Sequence, residues 1–494
     1  MNDSLANLQR TGLLKDRSFI DGVWVASSTN DTFAVTNPFD NQLIGAVPNM
    51  TSTDLEGAIQ AADRAFKKWS SHTGKYRGEL LSKWFSLINE NAESLAVLLT
   101  LEQGKPLSES RNEIIYGASF VQWFSEEAKR VSGAIPSSTW SDRRMLVLKQ
   151  PIGVCAAITP WNFPMAMVTR KVAPALAAGC TILLKPAEQT PLLALALAEL
   201  ASRAGIPNGV FNVITSDSER SIEIGKKICA SPIVRHLSFT GSNEVGRILM
   251  AQCAPTVKKM SLELGGHAPF IVFEDADIDA AVQGAINSKY RNAGQTCVCA
   301  NLFYVHSKVY KEFVTKFSQE ISKIALGNGM SDNVSQGPLI DDQAVLKVER
   351  HIADAKALGA EVVVGGARQS AGSKLFKPTV LGNVTSEMLV TKEETFGPVA
   401  PIVEFESEED VIKQANNTDF GLAGYFYTKD NSRIWRVSEQ LEFGMLGINT
   451  GLFSNEVAPF GGVKQSGIGR EGGVWGIEEY LEMKYLCVGI ENNA

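Results

Sequence analysis

The sequence has few of the residues that build metal centres or disulfide frameworks. Its five histidines are far apart, and none stands at a metal-ligand spacing from a second histidine or a cysteine. A metal site is therefore not expected. The seven cysteines are scattered and odd in number, which does not fit a disulfide framework and indicates a reducing compartment.

A long apolar run is also missing. The longest apolar stretch, residues 172–184, lies between Lys171 and Lys185 and includes Gly179, so it is too short to span a bilayer. The N-terminus, MNDSLANLQR, has acidic and polar residues where a signal peptide needs a basic start and an apolar run. These absences predict a soluble, cytoplasmic protein without a membrane partner.

Positive charge does not predominate either. The 47 basic residues are outnumbered by 54 acidic ones, which gives a net charge of -7 and a pI near 5.5. This balance argues against a nucleic-acid or anionic-membrane partner, although a local basic site for a small acid is still open. With 494 residues, 44% of them hydrophobic, the chain is long enough for roughly three domain-sized units.

The central part of the sequence alternates short apolar runs with helical patterns. Four runs are typical of buried strands: residues 153–160, 181–186, 210–215 and 236–242. Pro164 opens the helix after the first run, and Thr190 is the expected cap of the helix after the second. The alternation predicts an α/β fold with a parallel sheet. Ligands of such sheets bind at the carboxyl ends of the strands, where Trp161, Lys185 and Ser242 fall.

The flanking regions complete this organisation. A second alternating region, residues 269–405, carries Cys297 and predicts a second α/β domain. The N-terminal part is mostly helical after two short strands in residues 18–25. Residues 144–150 and 485–490 are each a short strand without an obvious partner nearby in the sequence.

The segment NAGQTCVCAN, residues 292–301, is the most informative part of the chain. Its first thiol, Cys297, follows a glycine, a glutamine and a threonine, and a second thiol, Cys299, comes two residues later. Small and amide side chains leave a thiol accessible and surround it with donors that can hold an oxyanion. The alternative is that Cys297 is a small core hydrophobe, which is the commonest fate of a free cysteine.

Two further motifs carry polar groups that suit acyl chemistry. Glu263 stands in the apolar segment LELGG, where it is either an edge residue facing water or a partly buried carboxylate with a raised pKa that can act as a base. Asn162 in TPWNFP supplies an uncharged amide donor. A thiol, a carboxylate and an amide are the parts of covalent acyl catalysis.

Three motifs are consistent with a dinucleotide. FTGSNEVG, residues 239–246, is a weak version of the glycine-rich turn at a strand-to-helix junction. KPAE, residues 185–188, offers a lysine and an acid, although a solvated Lys/Glu pair in a loop is the plainer reading. EETFGP, residues 393–398, adds a second acid and an aromatic ring.

Taken together, these motifs resemble the aldehyde dehydrogenase superfamily, and the resemblance covers essentially the whole chain. It implies two doubly wound α/β domains and a small β oligomerisation extension. Residues 1–129 and 152–262 would form the NAD(P)-binding domain, residues 263–465 the catalytic domain, and residues 130–151 and 466–494 the extension. It also implies a homotetramer or a homodimer.

The resemblance implies a role for each motif. Cys297 would attack an aldehyde, and Asn162 with the backbone N–H of Cys297 would stabilise the oxyanion. After hydride transfer to the nicotinamide, Glu263 would activate the water that hydrolyses the thioester. Acylating, coenzyme-A-dependent relatives lack this glutamate, so a free acid is the expected product.

The same resemblance places the cofactor. Lys185 would bind the adenine-ribose hydroxyls, and Glu188 would accept from the 2′-hydroxyl and repel a 2′-phosphate. NAD is therefore favoured, with NADP possible because Lys185 can also pair with a 2′-phosphate. Glu394 would hold the nicotinamide ribose, with Phe396 beside the ring. The implied cofactor residues are Trp161, Lys185, Glu188, Gly241, Ser242, Gly246, Leu264, Glu394 and Phe396.

The substrate is narrowed by likeness to the succinate-semialdehyde dehydrogenases in YRNAGQTCVCAN, MVTRK and SNEVAPFGG. By this match Arg170, Arg291 and Ser454 would hold the distal carboxylate of succinate semialdehyde, since guanidiniums bind carboxylates bidentately. Alternatively, either arginine is a structural salt-bridge partner. Another ω-acid semialdehyde such as glutarate semialdehyde is the second candidate, because one methylene is worth only about 1–3 kcal/mol. A non-catalytic structural or binding homologue is the third, against which the intact Cys297, Glu263 and Asn162 count.

Four positions carry further expectations. Leu302, His267 and Ser216 depart from the arginine, asparagine and glycine that the relatives usually have, and Ser216 is expected to loosen cofactor binding. Cys299 is a candidate redox partner that could join Cys297 in a strained disulfide, although Cys–X–Cys geometry is demanding.

Overall fold

Two large β-sheets, each covered by helices, organise residues 2–490, which are the residues that the computed structural model describes. The strands are β1 (Ser18–Ile20), β2 (Val23–Val25), β3 (Thr32–Thr36), β4 (Leu43–Pro48), β5 (Arg143–Pro151), β6 (Val154–Ile158), β7 (Thr181–Lys185), β8 (Phe211–Val213), β9 (Val234–Thr240), β10 (Lys259–Glu263), β11 (Ala268–Val272), β12 (Ala300–His306), β13 (Glu361–Val364), β14 (Thr379–Gly382), β15 (Val399–Phe405), β16 (Ala423–Tyr427), β17 (Met445–Ile448), β18 (Gly467–Ile468) and β19 (Leu481–Gly489). The helices are α1 (Asn2–Thr11), α2 (Ser52–Trp69), α3 (Gly74–Glu90), α4 (Ala92–Gln103), α5 (Leu107–Glu127), α6 (Pro164–Ala178), α7 (Pro191–Arg203), α8 (Ser218–Ala230), α9 (Asn243–Cys253), α10 (Ile278–Lys289), α11 (Ser307–Ile321), α12 (Asp342–Ala357), α13 (Glu408–Asn416) and α14 (Asn431–Gln440).

The first sheet has the strand order β18-β10-β9-β6-β7-β8-β1-β2. Its five inner strands are parallel, and β18, β1 and β2 pair antiparallel at the two edges. Every residue of β7 is buried, as expected of a strand with helices on both faces. The four strands predicted between residues 153 and 242 are thus confirmed as one parallel sheet.

The N-terminus of α7 differs in one detail from the prediction that Thr190 caps it. Thr190 occupies the cap position, but its side chain makes no capping hydrogen bond. The buried carboxylate of Glu102 on α4 accepts instead from the backbone N–H groups of Leu192 (2.9 Å) and Leu193 (3.0 Å). The N–H groups of this helix end are thus satisfied by a residue remote in sequence, which replaces the local cap.

The second sheet has the order β13-β14-β15-β12-β11-β16-β17 and is parallel except for β13. It confirms the predicted second α/β region. Helix α10 leads into a short turn, Arg291–Gly294, and the chain then passes Cys297 before it enters β12. The nucleophile candidate therefore lies in a loop at the start of a central strand.

Two smaller sheets lie outside the two large ones. The strands predicted at residues 144–150 and 485–490 pair with each other, as β5 and β19, in antiparallel register. The strands β3 and β4 form a hairpin that the sequence reading missed. The domain bounds stay a prediction: β18 falls within the predicted extension yet pairs with β10, and residues 491–494 of that extension lie outside the described residues. Within residues 2–490, no helix combines the length and apolarity that crossing a bilayer requires.

Helices α5 and α6 approach closely because Gly117 has no side chain. A Cβ at Gly117 would lie 2.4 Å from Cγ of Met165 and 3.2 Å from the backbone nitrogen of Ala166. This contact fixes α5 against α6, the helix that begins two residues after Asn162.

We expect Gly117→Ala to lower the midpoint of thermal unfolding, because overpacking a buried contact costs about 1–3 kcal/mol. Gly57→Ala is the matched control: Gly57 lies within α2, and a Cβ there would meet nothing within 4 Å. Since alanine favours a helix over glycine by about 1 kcal/mol, the control should unfold at an equal or higher temperature. Equal behaviour of the two variants would show that the α5–α6 contact is not tight.

Candidate active site

The carboxyl ends of β6, β9 and β10 face the nucleophile loop across a cavity of about 280 Å³. Residues from both large sheets line it: Pro160, Trp161, Asn162, Thr240, Gly241, Ser242, Leu264, Gly265, Cys297, Ala344, Lys347, Glu394, Thr395 and Phe396. The cavity brings together most of the predicted catalytic and cofactor residues. Lys185, Glu188, Gly246, Glu263 and the predicted substrate residues do not line it.

The loop before Cys297 has an unusual backbone. Asn292, Ala293 and Gly294 have φ values of 52°, 55° and 76°, and a non-glycine residue in such a conformation costs about 1–3 kcal/mol. Three hydrogen bonds fix Asn292: its backbone N–H donates to Glu109 (2.8 Å), its Oδ1 accepts from Gln103 (2.9 Å), and its Nδ2 donates to the carbonyl of Asn162 (3.0 Å). The strained loop is thus tied to α4, α5 and the Asn162 segment.

The Cys297 thiol is half-buried at the cavity wall. Burial raises the pKa of this thiol to about 12, and the positive charge of Arg170 opposes the shift. The thiol is therefore protonated at neutral pH. Gly266 lies directly behind the loop, where a Cβ would come within 2.5 Å of the Cys297 carbonyl oxygen.

Asn162 is held against the same loop. Its Nδ2 donates to the carbonyl of Gln295 (3.2 Å), and its Oδ1 is buried without a partner. The backbone carbonyl of Asn162 accepts from Lys105 Nζ at 2.7 Å. The Asn162 amide therefore contacts the backbone two residues before Cys297, close to where an oxyanion would form.

The buried pair of Lys105 and Glu113 was missed by the sequence reading. Lys105 Nζ binds the Glu113 carboxylate and lies 3.9 Å from the centre of the Phe163 ring. The other Glu113 oxygen accepts from the backbone N–H of Met165 (2.9 Å), in the first turn of α6. A lysine after a glycine in a loop is ordinarily solvated, so the sequence carried no signal for this role.

Glu263 ends β10 and is buried, with 4% of its surface exposed. Its Oε2 has no hydrogen-bond partner. Burial raises the pKa of the Glu263 carboxyl well above its ordinary range, and the nearby Glu471 raises it further. The reading of Glu263 as an edge residue facing water is thus wrong, because β18 covers that edge of the sheet.

Glu471, which the sequence reading also missed, sits between two buried cations. Its carboxylate contacts Arg170 Nη2 at 2.6 Å and also binds Lys171 Nζ. Lys171 Nζ donates in addition to Ser238 Oγ (2.9 Å). Burial alone would raise the pKa of Glu471, but Lys171 and Arg170 hold it below its ordinary value. Arg170 therefore forms a salt bridge to Glu471 through Nη2, as the alternative interpretation of this arginine predicted.

Arg291 differs from Arg170. Among residues 2–490 it has no carboxylate within salt-bridge distance, and its Nε is buried without a hydrogen-bond partner. Its guanidinium lies 5.3 Å from the centre of the Phe163 ring, and that of Arg170 lies 3.8 Å from the Phe460 ring. Ser454 is half-buried in the loop after β17, and in the described part of the chain it makes no hydrogen bond to either arginine.

The dinucleotide motifs lie at neighbouring strand ends. Lys185 Nζ at the end of β7 lies 3.5 Å from the Glu188 carboxylate. Glu188 lines a separate cavity of about 420 Å³, whose lining also includes four acidic residues, Glu102, Asp217, Asp341 and Asp342, and one basic residue, Lys374. This acidic lining fits a ribose hydroxyl better than a 2′-phosphate.

Helix α9 points its N-terminus at the main cavity. Ser242 Oγ caps it by accepting from the N–H of Val245 (3.3 Å). A Cβ at Gly246 would lie 2.6 Å from a Leu264 methyl group, so glycine lets α9 approach the end of β10. Free N–H groups at a helix N-terminus suit a pyrophosphate.

The opposite wall of the cavity carries the second acidic motif. Glu394 accepts from the backbone N–H of Gly266 (3.1 Å), and burial raises its pKa to about 7. Phe396 has a φ of 53°, and its ring meets that of Trp161 edge-on at 5.7 Å. An acid beside two aromatic rings fits a ribose and its nicotinamide.

The four positions with further expectations have plain environments. Leu302 packs in the core of the second sheet, away from both arginines. His267 binds the Thr391 carbonyl (3.1 Å), and burial lowers its pKa to about 4, so it is neutral. Ser216 Oγ lies 3.1 Å from Ser221 Oγ at the start of α8. Cys299 Sγ donates to the Gly294 carbonyl (3.2 Å), and its redox role stays a prediction.

Comparison with known proteins agrees with this geometry. The model of the Aldehyde dehydrogenase family matches residues 24–486. The glutarate-semialdehyde dehydrogenase of Pseudomonas aeruginosa is 56% identical over 98% of this chain and 99% of its own length. The NADP(+) succinate-semialdehyde dehydrogenase GabD of Escherichia coli is 55% identical over 98% of this chain and 100% of its own.

A solved structure shows the same architecture. The crystal structure of succinate-semialdehyde dehydrogenase from Burkholderia pseudomallei superposes with a TM-score of 0.96, at 56% identity, over 97% of this chain and 99% of its own. The predicted fold, with its two sheets and the paired β5 and β19, is confirmed by this similarity. The chain belongs to the aldehyde dehydrogenase family.

Proposed function

We propose that the protein oxidises succinate semialdehyde to succinate with NAD as the preferred cofactor. The substrate assignment depends on Arg291. Among residues 2–490 its guanidinium has no carboxylate within salt-bridge distance, and it lies over the ring of Phe163. Such a group binds a carboxylate at the far end of an aldehyde bidentately. The named activities of the relatives from E. coli and B. pseudomallei support this substrate.

Glutarate semialdehyde is the second candidate, because a relative that is 56% identical carries that name. One methylene changes binding by only about 1–3 kcal/mol, so the same anion site accommodates either length. A panel of aldehydes of increasing length, each with and without a terminal carboxylate, separates the two. A homologue without turnover is the third candidate, and absence of cofactor reduction with every aldehyde would establish it.

The acylation half of the reaction uses Cys297 and Asn162. The thiol must lose its proton before attack, and Arg170 supplies the positive charge that opposes the effect of burial on its pKa. Asn162 Nδ2, which donates to the Gln295 carbonyl in the structure, would turn to the oxyanion. NAD, when bound, would supply the hydride acceptor for oxidation of the hemithioacetal at Cys297 to a thioester.

The hydrolysis half uses Glu263. A base must accept a proton from water, and burial together with the nearby Glu471 raises the pKa of Glu263 above its ordinary value, which makes its carboxylate a stronger base. Because a base acts only when it is deprotonated, thioester hydrolysis should accelerate as pH rises through the folded-state pKa of Glu263. Its unpartnered Oε2 is free to accept from a water molecule.

The cofactor residues would hold NAD at both ends. Lys185 and Glu188 would bind the adenine ribose, Ser242 and the N-terminus of α9 the pyrophosphate, and Glu394 the nicotinamide ribose. We further propose a cytoplasmic homotetramer or homodimer. The exposed apolar side chains of β19, Met483 (77%) and Tyr485 (55%), support an assembly through the two-stranded β5–β19 sheet.

Glu263→Gln should separate the two halves of the reaction. The glutamine cannot accept a proton, so we expect a stoichiometric burst of reduced nicotinamide followed by turnover slowed by about 10²–10⁴-fold. Rapid-mixing absorbance measures both phases. Cys297→Ala is the control, which should bind NAD but show neither phase. Uniform loss of burst and turnover in Glu263→Gln would mean that Glu263 supports the structure instead.

Arg291→Ala should raise KM for succinate semialdehyde and leave KM for butanal almost unchanged. Each lost charge-assisted bond costs about 1.5–3 kcal/mol, or roughly 10- to 150-fold in KM. Arg111→Ala, at an exposed arginine of α5 paired with Glu93, is the charge-matched control. Arg170→Ala also frees Glu471, so it should impair both substrates. Equal effects of Arg291→Ala on both aldehydes would leave the substrate an unspecified aldehyde.

Glu188→Ser should narrow or reverse the preference for NAD over NADP by removing the repulsion of the 2′-phosphate. The specificity constants of the parent and the variant with each cofactor test this. Lys185 is retained in the variant and can then pair with the phosphate. A parent that uses both cofactors equally would contradict the proposed preference.

A further inference from the structure

Tyr116 on α5 lies beside both arginines that the substrate would meet. Its ring meets the Phe120 ring edge-on at 5.1 Å and packs against the cluster of Phe163, Ala166 and Met167. The guanidinium of Arg291 lies 5.3 Å from the centre of the Phe163 ring, and the guanidinium of Arg170 lies 5.7 Å from the centre of the Phe120 ring. Tyr116 therefore contacts the Phe163 ring beside Arg291 and the Phe120 ring near Arg170.

The hydroxyl of Tyr116 is buried and has no hydrogen-bond partner among residues 2–490. The Nε atoms of Arg170 and Arg291 are likewise buried without a hydrogen-bond partner among the described residues. An unpaired buried polar group is unfavourable, and several together at one place indicate a ligand that supplies the missing partners. Three donors without acceptors specify a ligand that is rich in acceptors.

The charges around Tyr116 keep it a donor. Burial raises the pKa of the Tyr116 hydroxyl, although Arg170 and Arg291 oppose the shift, while Cys297 and Glu471 add to it. These four groups come from four different elements, and all of them act on the one hydroxyl. The phenol is therefore protonated at neutral pH and offers its proton to an acceptor.

The position of Tyr116 is fixed by its neighbour in sequence. The close approach at Gly117 locks α5 against the first turn of α6, so the hydroxyl cannot move away from the α6 arginine. The backbone carbonyl of Tyr116 accepts from Ser119 Oγ (2.7 Å), which leaves only the hydroxyl without a partner. The donor is thus preorganised before any substrate binds.

We propose that the Tyr116 hydroxyl donates a third hydrogen bond to the anionic end of the substrate, next to Arg170 and Arg291, and so determines specificity for an acid-terminated aldehyde. This inference rests on the proposed function. A phenol adds no charge, but it is satisfied only by a substrate with an acceptor at that end. An aldehyde with an apolar tail leaves it unpaired.

Tyr116→Phe tests this role because it removes the hydroxyl and keeps the ring. We expect KM for succinate semialdehyde to rise by about ten-fold, the usual effect of one hydrogen bond to a charged group. KM for butanal should stay the same or fall, since the variant has no unpaired donor to bury. Inhibition by succinate, a dicarboxylate that needs no turnover, should weaken by a similar factor. Tyr76→Phe, at an exposed tyrosine of α3, is the control and should change none of these values.

The outcomes separate this inference from the proposed function. Equal changes in KM for both aldehydes, or no change in either KM or succinate inhibition, would overturn the role of Tyr116. If Arg291→Ala discriminates between the aldehydes and Tyr116→Phe does not, the proposed function stands and the inference fails. If neither variant discriminates, both fail. Unchanged NAD binding by Tyr116→Phe establishes that the variant is folded.

Discussion

The buried carboxylate of Glu471 sets the electrostatics on which the rest of the site depends. It compensates two cations, Arg170 and Lys171, that would otherwise be costly to bury. At the same time its negative charge keeps a proton on Glu263 at higher pH than burial alone would. A single ionised group, Glu471, thus compensates the Arg170 guanidinium and raises the pKa of Glu263, the proposed base.

The distribution of unsatisfied groups follows from this compensation. Lys105, Lys171 and Arg170 each have a carboxylate partner, whereas Arg291 has none among the described residues. The base candidate Glu263 likewise keeps one oxygen without a partner. Lys105 and Lys171 are thus compensated by carboxylates, and Arg170 is paired with Glu471 on one side but keeps its Nε without a partner among the described residues.

The sequence predicted the elements that depend on local pattern. Apolar runs followed by helical periods indicated four inner strands of the first sheet and the existence of a second α/β region, and glycine-rich and amide-rich segments located Cys297, Asn162 and Ser242. Contacts between remote residues left no such signal. Glu102 capping α7, Lys105 beneath Asn162 and Glu471 beside Arg170 all depend on tertiary packing. The side chain of Thr190 was misjudged for the same reason, since a distant carboxylate outcompetes a local hydroxyl.

The order of strands in the first sheet has a consequence for biosynthesis. Its edges are β2, near the N-terminus, and β18, at Gly467–Ile468. A chain that leaves the ribosome N-terminus first can assemble the inner parallel strands early, but Glu263 stays at an open edge until residue 468 has emerged. Glu471 follows three residues later. The growing polypeptide therefore carries Cys297, the proposed nucleophile, long before the surroundings of Glu263, the proposed base, are complete. The hydrolysis that we assign to Glu263 becomes possible only with the last part of synthesis.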